Sequence, residues 1–582
     1  MPQKMPQMPR SPRKYRPPAD SVATRSADSI GSEAHSRKRT ADTDPESNAG
    51  WPGALEKVFA IDVRSLALLR VCLGLLLITD LIARGMNLEA HYTDTGVMPI
   101  AYLSSTTLAQ YYYLTIHTMH GSYGVQCALF LIAAVFALAL IAGYRTRFVT
   151  IVCWVLLSSL QSRNAMIMTG ADQILRMMIF WGMFLPLGAC WSVDSHRHPD
   201  PHQLPKRVFS VATIALLLQV CFIYWFTVAL KSDPQWRSEG TAVYHALTLD
   251  QFATPFGRSL IAYPALLKFF TFATMALELF GPVLVFTPLF PGPVRSFMVL
   301  TFICFHLGLG VTLELGLFPL ISGTAWIAFL PGWFWDHWFR RTARFALGAR
   351  NPLSRPWVED RLQRLPQRAF RTGLHPAAQV FAGLCLLYVF LWNVRSLDFN
   401  RYETYFSQKL NWIGEILRLD QYWNLFAPFP MSDHGWYVIP AKLGDGTEVD
   451  LFNDGAPVTW TKPALVSAAY KNDRWRKYLV NLWMQENSNQ RVLYASYLVR
   501  KWNREHEGDK YVSHVTMNFM LQRDVVVTPM SGAGRGGGWL QKLFATPTFR
   551  TSDPEKIVLG EYNFTAGGVP SIPAVVAPPP VP

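Results

Sequence analysis

Charged residues are scarce in this sequence. Only 16% of its 582 residues are Asp, Glu, Lys or Arg, whereas 50% are hydrophobic. Soluble globular domains usually carry about 25% charged residues, so this composition excludes an ordinary soluble protein of this length. The sequence therefore indicates an integral membrane protein.

Metal and disulfide motifs are lacking as well. The chain contains no Cys-x-x-Cys pair and no His-Glu-x-x-His helix, so no metal site is predicted. The seven cysteines all lie in or beside apolar stretches, and none follows Cys385. No disulfide framework is therefore predicted for the C-terminal region.

Long apolar runs are what the sequence has in abundance. Several approach the roughly 20 residues that a helix needs to cross about 30 Å of hydrocarbon. We therefore predict an all-α polytopic membrane helical bundle with eight or nine transmembrane helices, with the main bundle at residues 55–335 and the last helix at residues 376–396. The predicted spans are Ser65–Ile82, Val125–Ala142, Phe148–Leu160, Ile174–Ala189, Val211–Leu230, Leu266–Leu289, Ser296–Val311, Phe318–Leu330 and Ala377–Trp392.

Basic residues fall in alternate loops, as the positive-inside rule requires. They are frequent in residues 1–50, which we predict to be a disordered basic tail without a cleavable signal peptide, and in the loop 336–375. We place both in the cytoplasm, which puts Lys231 and everything after the last span on the extracytoplasmic side of a multi-pass cell membrane protein. The basic residues of these loops explain the net charge of +14, so no nucleic-acid partner is predicted. Membrane lipids are the predicted partners.

The region after the last span has the pattern of a small α+β domain, which we place at residues 397–530. An Asp445-Gly446 turn between two alternating stretches predicts a β-hairpin. A helix is predicted at Lys471–Met484, with further strands at Val492–Arg500 and His514–Arg523. Residues 531–582 are rich in Gly and Pro, which predicts a flexible tail.

Ionisable residues inside apolar spans cost about 2.5–3.5 kcal/mol on insertion scales and usually face a polar interior. Two interpretations are open: Arg70 or Arg176 pairs with Asp80, Asp172 or Glu278 to fix the bundle, or the group lines a functional cavity. The residues concerned are Arg70, Asp80, Asp172, Arg176, Glu278, His306 and Glu314.

Motifs between about Ala60 and Trp335 resemble the HTTM (horizontally transferred transmembrane) domain, a module that vitamin K-dependent gamma-carboxylases also carry. The motifs that carry the resemblance are Arg163-Asn164, Gly170, Asp172, Leu175-Arg176, Trp181, Leu185-Pro186-Leu187-Gly188, Gly143 to Arg147, Lys231 to Trp236, Phe305-His306 and Gly316 to Pro319.

The resemblance implies an enzyme that uses a lipid-soluble reduced quinone, similar to vitamin K hydroquinone, with Lys231 as the base. His306 and Glu278 would then be supporting catalytic groups, and the outward domain would present a protein or peptide substrate. The residues implied in cofactor binding are Asn164, Arg176 and Trp236. The sequence departs from the carboxylases at Leu230, where they have a second lysine, and at Ala165, where they have a histidine.

A noncatalytic membrane anchor that presents the outward domain is the alternative, with a transporter as a third option. In the anchor interpretation, Lys231 extends to the lipid headgroups and Trp236 belongs to the interfacial aromatic belt. The enzyme and anchor interpretations predict different geometries. Convergence of Lys231, His306, Glu278 and Asn164 on one pocket favours an enzyme, and separate pairs favour an anchor.

Overall fold

The computed structural model describes residues 51–105, 115–197, 206–339, 375–398, 401, 406–506, 508–528 and 548–565. The predictions for the tail 1–50, for most of the loop 336–375 and for residues 566–582 lie outside the described residues. The helices, in chain order, are α1 (Trp51–Phe59), α2 (Val63–Gly85), α3 (Leu88–Tyr92), α4 (Ile100–Ser105), α5 (Tyr123–Ala142), α6 (Thr146–Arg163), α7 (Gly170–Gly182), α8 (Val193–Arg197), α9 (Val211–Leu230), α10 (Ala242–Thr248), α11 (Pro255–Ser259), α12 (Pro264–Leu284), α13 (Pro291–Thr312), α14 (Phe318–Ala325), α15 (Pro376–Leu397), α16 (Asn411–Ile416), α17 (Asp473–Trp483) and α18 (Arg491–Glu505).

Six helices in the described part of the chain are long and apolar enough to cross a membrane: α2, α5, α9, α12, α13 and α15. Each corresponds to a predicted span, and α9 has the predicted bounds. The other three predicted spans are shorter or more polar. The span predicted at Ile174–Ala189 is interrupted because α7 ends at Gly182, before Pro186, and proline cannot continue a helix.

Local capping explains where central helices begin. Ser210 accepts a hydrogen bond from the backbone N–H of Thr213 at the start of α9, and the Asp172 carboxylate accepts one from the Thr169 N–H at the start of α7. Such caps satisfy backbone donors that have no partner within the helix. Helix α7 is buried along almost its whole length and packs on α6, α9 and α14, so it forms the centre of the bundle.

The C-terminal region folds around one long strand. Strands β3 (Asp433–Val438) and β4 (Pro440–Leu443) pair with one edge of β6 (Val512–Thr528), and β4 pairs in turn with β5 (Glu448–Asp450). The predicted Asp445-Gly446 hairpin is confirmed by the β4–β5 pair. A separate short pair joins β1 (Ile61–Asp62) to β2 (Arg207–Val208).

Two features of this region differ from the prediction. The strand predicted at Val492–Arg500 is wrong, because these residues lie in α18, whose Tyr494, Leu498 and Val499 are buried at helical spacing. The sheet also continues past residue 530 into the predicted flexible tail, since β8 (Glu555–Asn563) pairs with β6 from His514 to Leu521. Strand β7 (Thr548–Thr551) pairs with the far end of β6.

The domain boundary predicted at residue 397 needs a further correction. The chain after α15 turns back, and residues 406–428 run along the bundle before the sheet begins. Gln421 Oε1 accepts a hydrogen bond of 2.8 Å from Gln219 Nε2, near the middle of α9, and the Trp423 carbonyl accepts one of 3.0 Å from Thr227. This segment, which we call the return segment (residues 406–428), is therefore part of the bundle.

Candidate functional site

Lys231 forms a buried ion pair with Glu278. Helix α9 ends at Lys231, whose backbone N–H still donates to the Thr227 carbonyl, while Glu278 lies in the second half of α12. Lys231 Nζ lies 2.6 Å from Glu278 Oε2, and the two residues are only 2% and 5% exposed. An ammonium group and a carboxylate withdrawn from water require each other, because removing one leaves the other charge uncompensated.

The indole of Trp236 covers the Lys231 ammonium. Nζ lies 4.1 Å from the ring centroid, within the range of a cation–π interaction. Trp236 is held by a hydrogen bond of 2.9 Å from Nε1 to the carbonyl of Phe426, in the return segment. Arg237 Nε also donates to the Lys231 carbonyl at 2.8 Å. Lys231 therefore contacts both Glu278 and Trp236.

His306 belongs to a second polar cluster in the bundle interior. Its Nε2 lies 2.7 Å from the hydroxyl of Tyr224, which also accepts a hydrogen bond of 2.7 Å from Trp326 Nε1. When the Tyr224 hydroxyl donates its own proton to Nε2, neutral His306 carries its proton on Nδ1. Nδ1 is buried and has no hydrogen-bond partner among the described residues, so this tautomer leaves a donor available for an oxygen atom.

The two clusters are neighbours through a close helix contact. The ring of Phe302 packs against Gly281, where a Cβ atom would come within 2.6 Å of it, and Gly281 lies about one helical turn from Glu278. Phe302 also contacts Tyr224, with ring centroids 4.7 Å apart. His306 thus shares the α9–α12–α13 region with Lys231 and Glu278, without a direct contact to either in the described structure.

Asn164 and Arg176 lie in other surroundings. Asn164 donates to the His91 carbonyl at 3.2 Å and accepts from the backbone N–H of Met166 at 3.1 Å. Arg176 donates to the Asp420 carbonyl at 2.6 Å and lies 3.1 Å from the Asp420 carboxylate. The structure therefore does not bring these two residues to Lys231.

The acidic residues of α2 and α7 have partners that the sequence did not suggest. Asp80 and Asp172 share Arg84 and Arg474, the latter from the first turn of α17 in the C-terminal domain. The prediction that Arg70 or Arg176 pairs with Asp80, Asp172 or Glu278 is wrong. Arg70 instead donates to the Trp191 carbonyl. We call the four residues Asp80, Arg84, Asp172 and Arg474 the charge cluster.

An apolar cleft ends at the charge cluster. Residues of α2, α5 and α6 line it, and Asp80 is its charged wall residue. Within the described ranges, no group of three or more His, Cys, Asp and Glu side chains is arranged to hold a metal ion. Gln161 of α6 donates to the Asp172 carbonyl at 3.0 Å.

Comparison with known proteins identifies the central part of the chain. The family model described as HTTM domain matches residues 59–333. The match covers Lys231, Glu278 and His306, together with five of the six membrane-length helices. No curated protein and no solved structure matches the chain.

Proposed function

Because residues 59–333 are an HTTM domain, we propose that this membrane protein is an enzyme related to the gamma-carboxylases, in which Lys231 removes a proton from a lipid-soluble reduced quinone. The observation that carries the proposal is the 2.6 Å contact between Lys231 Nζ and Glu278 Oε2 in a buried setting. Ionisable residues at membrane depth are costly and are functional candidates by default.

The ion pair has a route to a neutral amine. Burial disfavours separated charges, so transfer of one proton from Lys231 Nζ to Glu278 Oε2 gives an uncharged amine and a carboxylic acid. The amine can then accept a proton from a hydroxyl group, which regenerates the ammonium beside the Trp236 ring. Glu278 thereby holds the proton that Lys231 must lose before it can act as a base.

The Tyr224–His306 cluster next to the ion pair suits a reduced quinone in chemical type. A reduced quinone supplies a hydroxyl group whose deprotonation begins its oxidation. Among the described residues, His306 Nδ1 is a buried polar atom without a partner, and the ring of Tyr224 lies beside His306 with Phe302 and Trp326 packed on it. The unpartnered nitrogen would bind an oxygen of the quinone, while the aromatic rings exclude water.

Turnover of a reduced naphthoquinone tests the proposal. Purified protein in lipid vesicles receives the quinone, oxygen and glutamyl peptides, and both quinone epoxide and carbon dioxide incorporation are measured. We expect Lys231→Met, which keeps the side-chain length without the amine, to lower epoxide formation by about 10²–10⁴-fold. Lys510→Met removes an exposed lysine of the C-terminal domain and serves as the matched control, with wild-type turnover.

A silent wild-type protein that is folded as well as its variants would contradict the enzyme proposal. Equal turnover of the wild type and Lys231→Met would contradict the role of Lys231 alone. Epoxide formation without carbon dioxide incorporation would support Lys231 as the base and would show that those peptides are not carboxylated.

A noncatalytic anchor is the second candidate, and one observation favours it. Arg474 joins the C-terminal domain to the bundle through ion pairs with Asp80 and Asp172, an arrangement suited to holding a binding domain in a fixed orientation. Asn164 and Arg176 also lie in separate contacts of their own. Under this proposal, Lys231→Met changes neither quinone turnover nor the binding of a partner by the C-terminal domain.

A further inference from the structure

The return segment exposes apolar side chains beside the last membrane-length helix. Trp412 and Ile416 lie four residues apart in α16, on one face of that short helix, and are 57% and 48% exposed. Leu410, immediately before α16, is 39% exposed. Three large apolar side chains within seven residues form a patch that requires a partner.

The patch is fixed to α15 by its backbone. The hydroxyl of Tyr388, near the middle of α15, donates to the Leu410 carbonyl at 3.0 Å and accepts from the Gly414 N–H at 2.9 Å. A Cβ atom at residue 414 would lie 2.7 Å from that hydroxyl, so glycine permits the close approach. The chain therefore turns back after α15 ends at Leu397 and returns to the level of Tyr388, which lies nine residues before that end.

The exposed side of α15 continues this surface. Leu384, Leu387 and Phe390 are 61%, 52% and 42% exposed, as expected for the lipid-facing side of a membrane span. Tyr388 and Trp392 carry polar atoms that bond to the return segment, Trp392 Nε1 donating to the Gln421 carbonyl at 2.9 Å.

From this placement we propose that residues 408–416 are a membrane anchor, with Leu410, Trp412 and Ile416 inserted among lipid acyl chains beside α15. The flanking charged residues are compatible with that placement. Lys409 is exposed and Glu415 is partly exposed, and both side chains can extend toward the headgroups. These contacts favour the lipid bilayer as the partner, since the patch is continuous with the lipid-facing side of α15.

Lipid contact by residues 408–416 also has a consequence for the site at Lys231. The return segment leaves the anchor, passes Gln219 and Thr227 of α9, and reaches Phe426, whose carbonyl accepts the Trp236 hydrogen bond. Lipid contact at residues 408–416 therefore fixes the first part of a segment whose last part positions the ring over Lys231. The anchor itself does not depend on the proposed enzymatic function.

Site-directed fluorescence tests the anchor in the full-length protein reconstituted in phosphatidylcholine vesicles. A thiol-reactive fluorophore is attached to Trp412→Cys in a Cys304→Ser background, because Cys304 is the exposed native cysteine. Quenching is measured with a lipid that carries a spin label near its headgroup and with aqueous iodide. Phe390→Cys on α15 is the lipid-facing control, and Trp460→Cys, at a residue 38% exposed in the C-terminal domain, is the water-facing control.

We expect the label at position 412 to match position 390, with lipid quenching at least several-fold stronger than at position 460 and protection from iodide. Iodide quenching at 412 equal to that at 460, without lipid quenching, would overturn the proposal. Protection from both quenchers, with crosslinking between two copies through position 412, would also overturn it by showing a protein partner. If Trp412→Cys does not fold, Ile416→Cys is subject to the same comparison.

Discussion

Arg474 Nη1 lies 2.6 Å from Asp172 Oδ2, although the two residues are 302 positions apart in the chain. Asp172 belongs to the central helix α7, and Arg474 to α17 of the C-terminal domain. The same guanidinium contacts Asp80 at 2.7 Å through Nη2. One arginine therefore ties the sheet-containing domain to two helices of the bundle, in a place where all the charged side chains are nearly inaccessible to solvent.

Arg474→Met should destabilise the protein strongly. It leaves Asp80 and Asp172 with Arg84 as their remaining cation in the charge cluster, and breaking a buried ion pair typically costs about 3–5 kcal/mol. The measurement is the apparent Tm of the detergent-solubilised protein. Arg504→Met is the matched control, because its ion pair with Glu89 is exposed and should contribute less than about 1 kcal/mol. Equal melting temperatures for the two variants would contradict the structural role of Arg474.

Glu278→Leu should destabilise the protein by leaving the Lys231 ammonium buried without its carboxylate. The double variant Glu278→Leu, Lys231→Met removes both charges and should recover much of that loss, because well-packed apolar side chains often replace a buried ion pair without cost. Thermal unfolding of the two single variants and the double variant gives the coupling energy. Additive effects of the two substitutions would show that the pair is not energetically coupled.

The stability of the C-terminal domain should fall at alkaline pH through His434. Burial lowers the pKa of His434, but the hydrogen bond to Asp250 and the Asp524 carboxylate 3.5 Å away outweigh it and raise the pKa to about 9. Lys462 and His245 also lie against these carboxylates. Since the folded-state pKa exceeds the unfolded value of about 6.5, the contribution of His434 is complete below about pH 6.5 and is lost as the pH rises through about 9.

Unfolding measured between about pH 6 and about pH 10, a range that brackets the unfolded and folded pKa values of His434, checks this prediction. The wild type should lose on the order of 3 kcal/mol more than His434→Gln over that range. His196→Gln changes an exposed histidine of α8 and should keep the wild-type profile. Identical pH profiles for the wild type and His434→Gln would rule out the proposed linkage.

The orientation predicted from basic loops is open to a direct measurement. An alkaline phosphatase reporter fused after Lys409 should be active, because that point follows the last membrane-length helix and the positive-inside rule places it outside the cytoplasm. The same reporter fused after Arg145, between α5 and α6, should be inactive. The reverse pattern of activity would show that the topology is opposite to the predicted one.

Local sequence patterns predicted the apolar helices well, and α9 most closely. Val211–Leu230 is a continuous apolar run between a Ser cap and Lys231, so its bounds follow from residues within the run itself. Residues 491–505 misled the prediction because Tyr, Val and Leu favour strands locally. The helical spacing of these apolar residues along the sequence is the signal that could have identified α18.

The site was predictable only in part. Lys231 and Trp236 are five positions apart, so a turn after α9 brings them together, and the sequence singled out Glu278 as an ionisable residue within a span. Arg84 was missed although its position, four residues after Asp80, is the spacing of an ion pair along a helix. No pattern in the sequence pointed to Arg474, to the return segment or to the Tyr224–His306 contact.

The sequence by itself indicated a membrane protein with long apolar helices, in which residues 59–333 match the HTTM domain model, because helix length and hydrophobicity are properties of contiguous residues. The tertiary structure decided which buried charges meet. Lys231 pairs with Glu278, Asp172 with Arg474 and Arg176 with Asp420, because ion pairs and hydrogen bonds act over a few ångströms in space. Separation along the chain does not enter that interaction, so only the packing of the helices could assign the partners.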